Sequence, residues 1–233
     1  MFSPEIFIFV DNRFIFSTMF VDIHTHNSSE SNYPAIRNLT FTEAEELFSS
    51  NENGFFSVGF HPWFADEFSV ESFSKLEKWA NDKRLVVIGE CGLDKNSKIS
   101  LDKQMSVFEQ QIRLSEKTQK PLIIHCVGCF NELFELKTRI NPRQIWIIHG
   151  FRGKPELASQ ALKSGCSLSF GEHFNKESIS VTPPDKLFIE TDESDLTIEE
   201  IYTQIAFTKS IKPNLLIAGE FLLQTIITKK PNY

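Results

Sequence analysis

Two histidines one residue apart end a short apolar segment near the beginning of the chain. The segment reads Phe20-Val21-Asp22-Ile23-His24-Thr25-His26-Asn27. In a strand, alternate side chains share a face, so His24 and His26 would point the same way and could hold one ion. A single pair is weak evidence for a metal site, because short motifs also arise by chance.

The same arrangement recurs along the chain, where further apolar segments end in a histidine or a carboxylate. Each instance alone has an ordinary structural explanation; Asp192, for example, could cap a following helix. Together they favour one shared site at the ends of several strands. The further instances are Gly59-Phe60-His61, Ile88-Gly89-Glu90, Ile123-Ile124-His125, Ile147-Ile148-His149 and Ile189-Glu190-Thr191-Asp192.

These residue types fit a site that holds two divalent ions. Glu90 follows Gly89, whose missing side chain lets other groups approach, and its two carboxylate oxygens could bridge both ions. Imidazole plus carboxylate suits Zn²⁺, Mn²⁺ or Fe²⁺ and does not forbid Mg²⁺. Two ions about 3.5–4 Å apart can activate a water and stabilise the attacking and leaving oxygens. The ligands expected for one ion are His24, His26, Glu90 and Asp192, and those expected for the other are Glu90, His125 and His149.

Apolar segments alternate with amphipathic ones along the chain, which predicts a parallel sheet covered by helices. Thr40 and Thr42 suit the start of the first helix, and Pro155 suits the first turn of another. The predicted strands are 20–25, 54–60, 85–90, 121–126, 144–149, 166–170 and 186–191. The predicted helices are 41–50, 70–81, 101–118, 129–138 and 154–164.

Polar residues at the carboxyl end of nearly every strand favour a (β/α) barrel of the TIM type over an open sheet, because those ends meet on one face of a barrel. No glycine-rich phosphate loop follows the first strand, which removes the main support for a nucleotide-binding open sheet. Residues 197–209 and 213–228 look helical, so we expect a barrel that is irregular at its eighth strand.

The domain prediction is a single barrel over residues 19–233, with residues 1–18 as an N-terminal extension; Met19 is the alternative natural start. No apolar segment approaches the roughly 20 residues that span a bilayer, and no signal peptide is recognisable, so we expect a cytoplasmic protein. The four cysteines do not suggest a disulfide framework in a chain of 233 residues. Cys126 and Cys129 have redox-motif spacing, but nothing else indicates a thioredoxin-like protein.

The formal net charge is −7, with 31 acidic and 24 basic residues. This charge argues against a broad basic surface for duplex DNA. It does not exclude a phosphate substrate, because two divalent cations would reverse the sign of a pocket locally.

The ordered set of motifs resembles the TatD family of metal-dependent hydrolases, within the amidohydrolase-like group of (β/α) barrels. Any one piece is weak, but the set keeps the family's order over residues 20 to 192. The matching pieces are Asp22-Ile23-His24-Thr25-His26, Val58-Gly59-Phe60-His61-Pro62, Ile88-Gly89-Glu90-Cys91-Gly92-Leu93-Asp94, Pro121-Leu122-Ile123-Ile124-His125, Ile148-His149-Gly150-Phe151-Arg152-Gly153, Ser169-Phe170-Gly171 and Ile189-Glu190-Thr191-Asp192.

The resemblance implies a metal-dependent deoxyribonuclease, often exonucleolytic on single strands, with the two-ion ligand set given above. It implies that His61 contacts the substrate phosphate or assists catalysis, and that Asp94 lies close behind Glu90 and supports it. The family's arginine after the fourth-strand histidine is absent, since Cys126 and Val127 stand there, and Arg152 is a candidate replacement.

The expected function is therefore phosphodiester hydrolysis on DNA ends or single strands, with Mg²⁺, Mn²⁺ or Zn²⁺ as cofactor. Asp192 would accept the proton of the attacking water, Glu90 would bridge the two ions, and His61 and Arg152 would hold the phosphate. The alternatives are a two-metal amide, lactone or ester hydrolase of the same barrel group, and an inactive barrel that serves as a binding protein.

Overall fold

The protein folds into a parallel barrel, described here by a computed structural model that covers residues 8–10, 13–15, 20–27 and 32–228. In this part of the chain, eight parallel strands form one sheet in which each strand pairs with its neighbours in sequence. The strands are Asp22–Thr25 (β1), Ala35–Asn38 (β2), Phe55–Val58 (β3), Leu85–Asp94 (β4), Leu122–Val127 (β5), Trp146–Ile148 (β6), Ser167–Phe170 (β7) and Leu187–Ile189 (β8).

Each strand from β2 onward is followed by a helix, as the alternating pattern predicts. They are Phe41–Ser49 (α1), Val70–Trp79 (α2), Leu101–Thr118 (α3), Phe130–Ile140 (α4), Pro155–Lys163 (α5), Lys176–Val181 (α6), Ile198–Lys209 (α7) and Ala218–Thr228 (α8). Short 3-10 segments span Pro62–Glu67, Pro184–Lys186 and Pro213–Leu215. No helix within the described ranges is both long enough and apolar enough to cross a membrane.

The ends of the helices follow from local sequence. Thr40 caps α1, since its hydroxyl accepts from the backbone of Glu43, whose carboxylate accepts from the backbone of Thr40 in return. Pro155 occupies the first turn of α5, where no backbone N–H is needed. Both predicted helix starts are confirmed.

Two apolar clusters hold the barrel together. The larger one lies between the strands and the surrounding helices. The smaller one includes Ile123 and Ile147, which share a strand face with His125 and His149 and therefore fill the barrel interior beneath those histidines. Leu222 of α8 joins this inner cluster.

The TIM-type barrel is confirmed, but one of its strands was not predicted. Ala35–Asn38 forms β2, between β1 and β3, so the strand expected as the seventh, 186–191, contains the eighth. The expected irregularity at the eighth strand is also present, because β8 and β1 do not form a continuous ladder. The segments 197–209 and 213–228 are largely helical, as expected.

The expected extension, residues 1–18, falls mostly outside the described residues, as does Met19. Within it, Ile8–Val10 pairs antiparallel with Arg13–Ile15. The division into an extension and a barrel domain stays a prediction.

Side chains join β8 to β1 at the seam. Asp22 Oδ1 accepts hydrogen bonds from the backbone N–H of Thr191 at 3.1 Å and of His24 at 3.3 Å. Its Oδ2 accepts from the Thr191 hydroxyl at 2.6 Å, and that hydroxyl also lies 2.8 Å from the hydroxyl of Thr25. One isolated backbone bridge links Thr25 to Asp192. The buried carboxylate of Asp22 therefore joins the last strand to the first, together with this backbone bridge.

Replacing Thr191 with Val should destabilise the barrel by about 1–3 kcal/mol, because the buried Asp22 carboxylate loses a donor that the valine methyl cannot replace. Urea unfolding, monitored by far-ultraviolet circular dichroism, measures this loss. Thr203→Val is the matched control, since its hydroxyl bonds only within an exposed turn of α7. Equal stability of the two variants would contradict the role of Asp22 at the seam.

The seam should also make stability depend on pH. Burial raises the pKa of Asp22 from 3.8 to about 7, although the hydrogen bonds from Thr191 act in the opposite direction. Because the folded state holds this proton more tightly than the unfolded state, wild type should lose stability as pH rises from about 4 to 7. A pKa difference of this size corresponds to roughly 4 kcal/mol.

Asp22→Asn cannot titrate and should lack this component of the pH dependence. Urea unfolding of both proteins in EDTA, at several pH values across this window, should therefore show wild type losing several kcal/mol relative to the variant. Parallel pH profiles would refute the raised pKa.

Candidate metal centre

Two histidines and two carboxylates face one another at the carboxyl end of the barrel. Nε2 of His24 lies 3.7 Å from Glu90 Oε2 and 3.7 Å from Asp192 Oδ1. Nε2 of His26 lies at the same two distances from the same two oxygens. These separations exceed hydrogen-bond length, so none of these imidazole–carboxylate pairs is a hydrogen bond. The ligand atoms of His24, His26 and Glu90 all lie within 4.8 Å of one another.

This arrangement fits a divalent ion. Two ligand atoms about 2.1 Å from a tetrahedral ion lie about 3.4 Å apart, close to the observed spacing. His24 is fully buried, and neither of its ring nitrogens has a hydrogen-bond partner among the described residues. Burial lowers the pKa of His24 to about 3, which keeps the imidazole neutral, as a metal ligand must be.

The second oxygen of Glu90 faces a different set of histidines. Oε1 lies 2.7 Å from His149 Nε2, 3.0 Å from His125 Nδ1 and 3.3 Å from His61 Nε2. Burial raises the pKa of Glu90, but the nearby imidazoles, His149 first, outweigh it and hold the pKa well below its usual value. Glu90 is therefore an ionised carboxylate that lies between two groups of histidines.

Close backbone contacts set the position of Glu90. A side chain on Gly59 would come within 2.7 Å of the Glu90 carbonyl oxygen, and one on Gly89 within 2.5 Å of the Ile123 carbonyl oxygen. The backbone N–H of Glu90 donates to Asn38 Oδ1 at 3.0 Å. Asn38 ends β2, so the strand that the sequence did not predict helps to hold the central carboxylate.

Asp94 supports the site through His125 rather than directly through Glu90. Its Oδ2 lies 3.0 Å from His125 Nε2 and accepts a hydrogen bond from the indole N–H of Trp63 at 2.6 Å. Because Asp94 engages Nε2, the other nitrogen of His125 is directed at Glu90.

Backbone hydrogen bonds across the seam between β8 and β1 set the position of Asp192. Its backbone N–H donates to the His24 carbonyl at 3.0 Å, and its carbonyl accepts from the His26 N–H at 3.1 Å. Its φ angle of 55° lies in the left-handed region, which few residues other than glycine adopt. The backbone of the histidine pair therefore holds Asp192 beside both imidazoles.

Sequence reasoning assigned no role to Glu190, which lies in the same motif as Asp192. Glu190 is fully buried, its Oε1 lies 3.6 Å from His149 Nδ1, and this oxygen accepts from the Gly150 N–H at 2.5 Å. Burial lowers the pKa of His149, but Glu90 and Glu190 outweigh it and raise that pKa well above its usual value. The available signal was a carboxylate directly after the three apolar residues of β8.

The sequence candidate Arg152 and one further histidine, His173, lie apart from these clusters. Arg152 is exposed in the loop after β6, three residues beyond His149. His173 follows β7, is largely exposed and lies 4.0 Å from Glu172. The six expected ligands and His61 converge, whereas Arg152 is placed only in a loop at the same end of the barrel.

Comparison with known proteins supports the barrel assignment. The family described as TatD related DNase matches residues 18–211. The TatD homologue YJJV from Escherichia coli K12 superposes with a TM-score of 0.74 at 17% identity, covering 88% of this chain and 97% of that one. A TatD family hydrolase from Entamoeba histolytica gives a TM-score of 0.64 at 18% identity, covering 89% of this chain and 95% of that one. At these identities the likeness shows the fold.

Curated relatives are similar over part of their length. The uncharacterized metal-dependent hydrolase YabD of Bacillus subtilis is 30% identical over 167 residues, which cover 68% of this chain and 66% of the relative. The 3'-5' ssDNA/RNA exonuclease TatD of Erwinia billingiae is 30% identical over 147 residues, which cover 58% of this chain and 56% of the relative. The chain thus spans between about half and two thirds of these relatives.

If His24, His26, Glu90 and Asp192 hold an ion, added Mn²⁺ or Zn²⁺ should raise the melting temperature of the protein. At a metal concentration 100 times the dissociation constant the gain is about 2.7 kcal/mol, or roughly 5–10 °C for a domain of this size. Asp192→Asn should lose most of this shift in differential scanning fluorimetry. His173→Ala removes a histidine outside the cluster and should keep it; equal shifts in both variants would rule out the proposed ligand set.

Proposed function

The chain belongs to the TatD-related DNase family, and on this premise we propose that it is a metal-dependent phosphodiesterase that removes nucleotides from single-stranded DNA or DNA ends. One observation carries the proposal: the Glu90 carboxylate presents one oxygen to His24 and His26 and the other to a second group of histidines. This is the arrangement that a carboxylate bridging two cations requires.

Two divalent ions, Mg²⁺, Mn²⁺ or Zn²⁺, would be held by this set. When bound, they would lower the pKa of a coordinated water and stabilise charge on the phosphate oxygens. The residues that would hold the first ion are His24, His26, Glu90 and Asp192, and those that would hold the second are Glu90, His125 and His149.

Asp192 is suited to accept the proton of the attacking water. Burial raises the pKa of its carboxyl, with Glu190 acting in the same direction, so the carboxylate is more basic than an exposed aspartate. The side chain is also 28% exposed, which leaves it open to water and substrate. Its left-handed backbone, fixed on both sides by β1, holds the oxygen in place.

His61 is suited to donate a hydrogen bond to the substrate phosphate. Its Nδ1 accepts from the backbone N–H of Trp63 at 3.1 Å, which leaves the ring proton of the neutral imidazole on Nε2. Nε2 points toward the site, 3.3 Å from Glu90 Oε1. Arg152 is the proposed second phosphate contact, reached by movement of its exposed side chain.

Phosphodiester hydrolysis is preferred over the alternatives for separate reasons. Neither an amide nor a lactone hydrolase is named among the relatives above, whereas a single-strand exonuclease is. An inactive binding protein would have no need to keep unpaired donor atoms of His24 buried beside two carboxylates. The cytoplasmic location stays a prediction from the sequence.

Replacing Glu90 with Gln should abolish cleavage of a labelled single-stranded oligonucleotide, because the amide cannot bridge two cations. We expect wild type to shorten the strand with added Mg²⁺, Mn²⁺ or Zn²⁺ and to stop in EDTA, and the variant to lose at least about 100-fold in rate. Denaturing gel electrophoresis resolves the products.

The matched control is Glu156→Gln, which changes an exposed carboxylate in the first turn of α5. It should cleave like wild type. A metal-loaded wild type that leaves every oligonucleotide intact would refute the nuclease proposal, and normal turnover by Glu90→Gln would refute the role of Glu90.

A further inference from the structure

Two aromatic rings stand exposed beside the candidate metal centre. Trp63 is 55% exposed and Phe64 is 53% exposed, both in the 3-10 segment that follows His61. The aromatic residues on either side of this segment are less exposed. Phe60 is buried, and its ring centre lies 5.3 Å from that of Phe68. Phe60 and Phe68 thus pack against the core, whereas Trp63 and Phe64 between them face solvent.

Both exposed rings adjoin the histidines of the site. The Trp63 ring centre lies 5.2 Å from that of His61 and 6.2 Å from that of His125. The Phe64 ring centre lies 6.0 Å from that of His61. A nucleotide whose phosphate reaches His61 would therefore have its base within reach of these rings.

Trp63 is anchored by a hydrogen bond although it is exposed. Its indole N–H donates to Asp94 at 2.6 Å, and Asp94 is almost fully buried behind His125. Single exposed apolar side chains are common and need no explanation. Here, however, the only polar atom of the exposed indole is hydrogen-bonded to Asp94, which supports the metal centre. Together with the exposed ring of Phe64, the indole forms a preformed surface for a flat ligand.

We propose that Trp63 and Phe64 form a stacking platform for an unpaired base next to the scissile phosphate. This inference rests on the proposed nuclease function and specifies the substrate as a single strand or a frayed end. The charge of the protein supports it, because a chain with net charge −7 gains little from long-range attraction to a polyanion. Stacking depends only on the flat face of a base, so it supplies affinity without a basic surface.

The platform would also disfavour duplex DNA as a substrate. A base inside a duplex has both faces covered by its neighbours, so it cannot lie on Trp63 without first unstacking. An unpaired terminal base presents a free face at no such cost. The platform therefore selects by base accessibility and not by base identity.

Binding can be tested separately from catalysis by tryptophan fluorescence. The chain has three tryptophans, and Trp79 and Trp146 are 7% and 0% exposed, so Trp63 dominates the signal that a ligand can reach. In Mg²⁺, a short single-stranded oligonucleotide with phosphorothioate linkages that resist cleavage should quench wild-type fluorescence, and one with abasic residues at its ends should not. Equal quenching by both strands, or none by either, would overturn the proposal.

Kinetics give the second test, with Trp63→Leu and Phe64→Leu compared on two substrates. The ratio of kcat/KM for the oligonucleotide to kcat/KM for an abasic strand of the same length, which keeps the phosphates but carries no base, should fall about 5- to 150-fold in the variants, mainly through KM. Trp63→Phe, which keeps a ring but loses the bond to Asp94, should restore most of that ratio. Phe207→Leu, an exposed ring on α7, is the matched control and should leave both rates as in wild type.

The outcomes separate this inference from the proposed function. Equal losses on both substrates would show that Trp63 only supports the metal centre, and would overturn the platform while leaving the nuclease intact. Failure of wild type to hydrolyse any phosphodiester would overturn the nuclease, and the base-dependent quenching would still decide whether the rings bind bases.

Discussion

The carboxylate of Glu90 is the group on which the candidate site depends. Five imidazoles lie within 3.7 Å of its two oxygens, from strand ends and loops on different sides of the barrel mouth. A buried carboxylate is costly unless opposite charge or donors surround it, so the histidines and Glu90 require one another. Glu90 can reach this position because neighbouring backbone atoms approach Gly59 and Gly89 closely. A larger residue at either position would prevent this approach.

The contacts that join β8 to β1 at the seam also assemble the candidate site. A regular barrel closes by a continuous backbone ladder, whereas here the side-chain hydrogen bonds between Asp22 and Thr191 supplement a single backbone bridge between β1 and Asp192. Asp192 follows Thr191 directly, so the contact that joins the strands also places this carboxylate beside the histidine pair. The unusual φ of Asp192 is consistent with this, because surrounding hydrogen bonds hold a conformation that the residue alone disfavours.

The sequence was sufficient for the barrel and for convergence of the six expected ligands, because both depend on local patterns of apolar segments that end in polar residues. It was insufficient for β2, whose four residues include Arg37 and Asn38 and so lack the apolar run of the other strands. The role of Asp22 depends on Thr191, which is 169 positions away and gives no local signal. The exposure of Trp63 could not be predicted from the sequence either, because nearby Phe60 is also aromatic and is buried.

Recognition of a polyanion by an acidic protein must come from short-range interactions. Buried Cys126 and partly exposed Val127 follow His125, so no arginine stands directly after that histidine, and Glu193 follows Asp192 directly. Attraction to phosphate is thus confined to the proposed cations, His61 and Arg152, at distances where screening is weak. Such a site gains nothing from the phosphates of a long duplex outside its mouth. A rigid aromatic surface at that mouth adds affinity only for bases that are already unpaired, so the acidic charge and the exposed rings favour the same substrate, the end of a single strand.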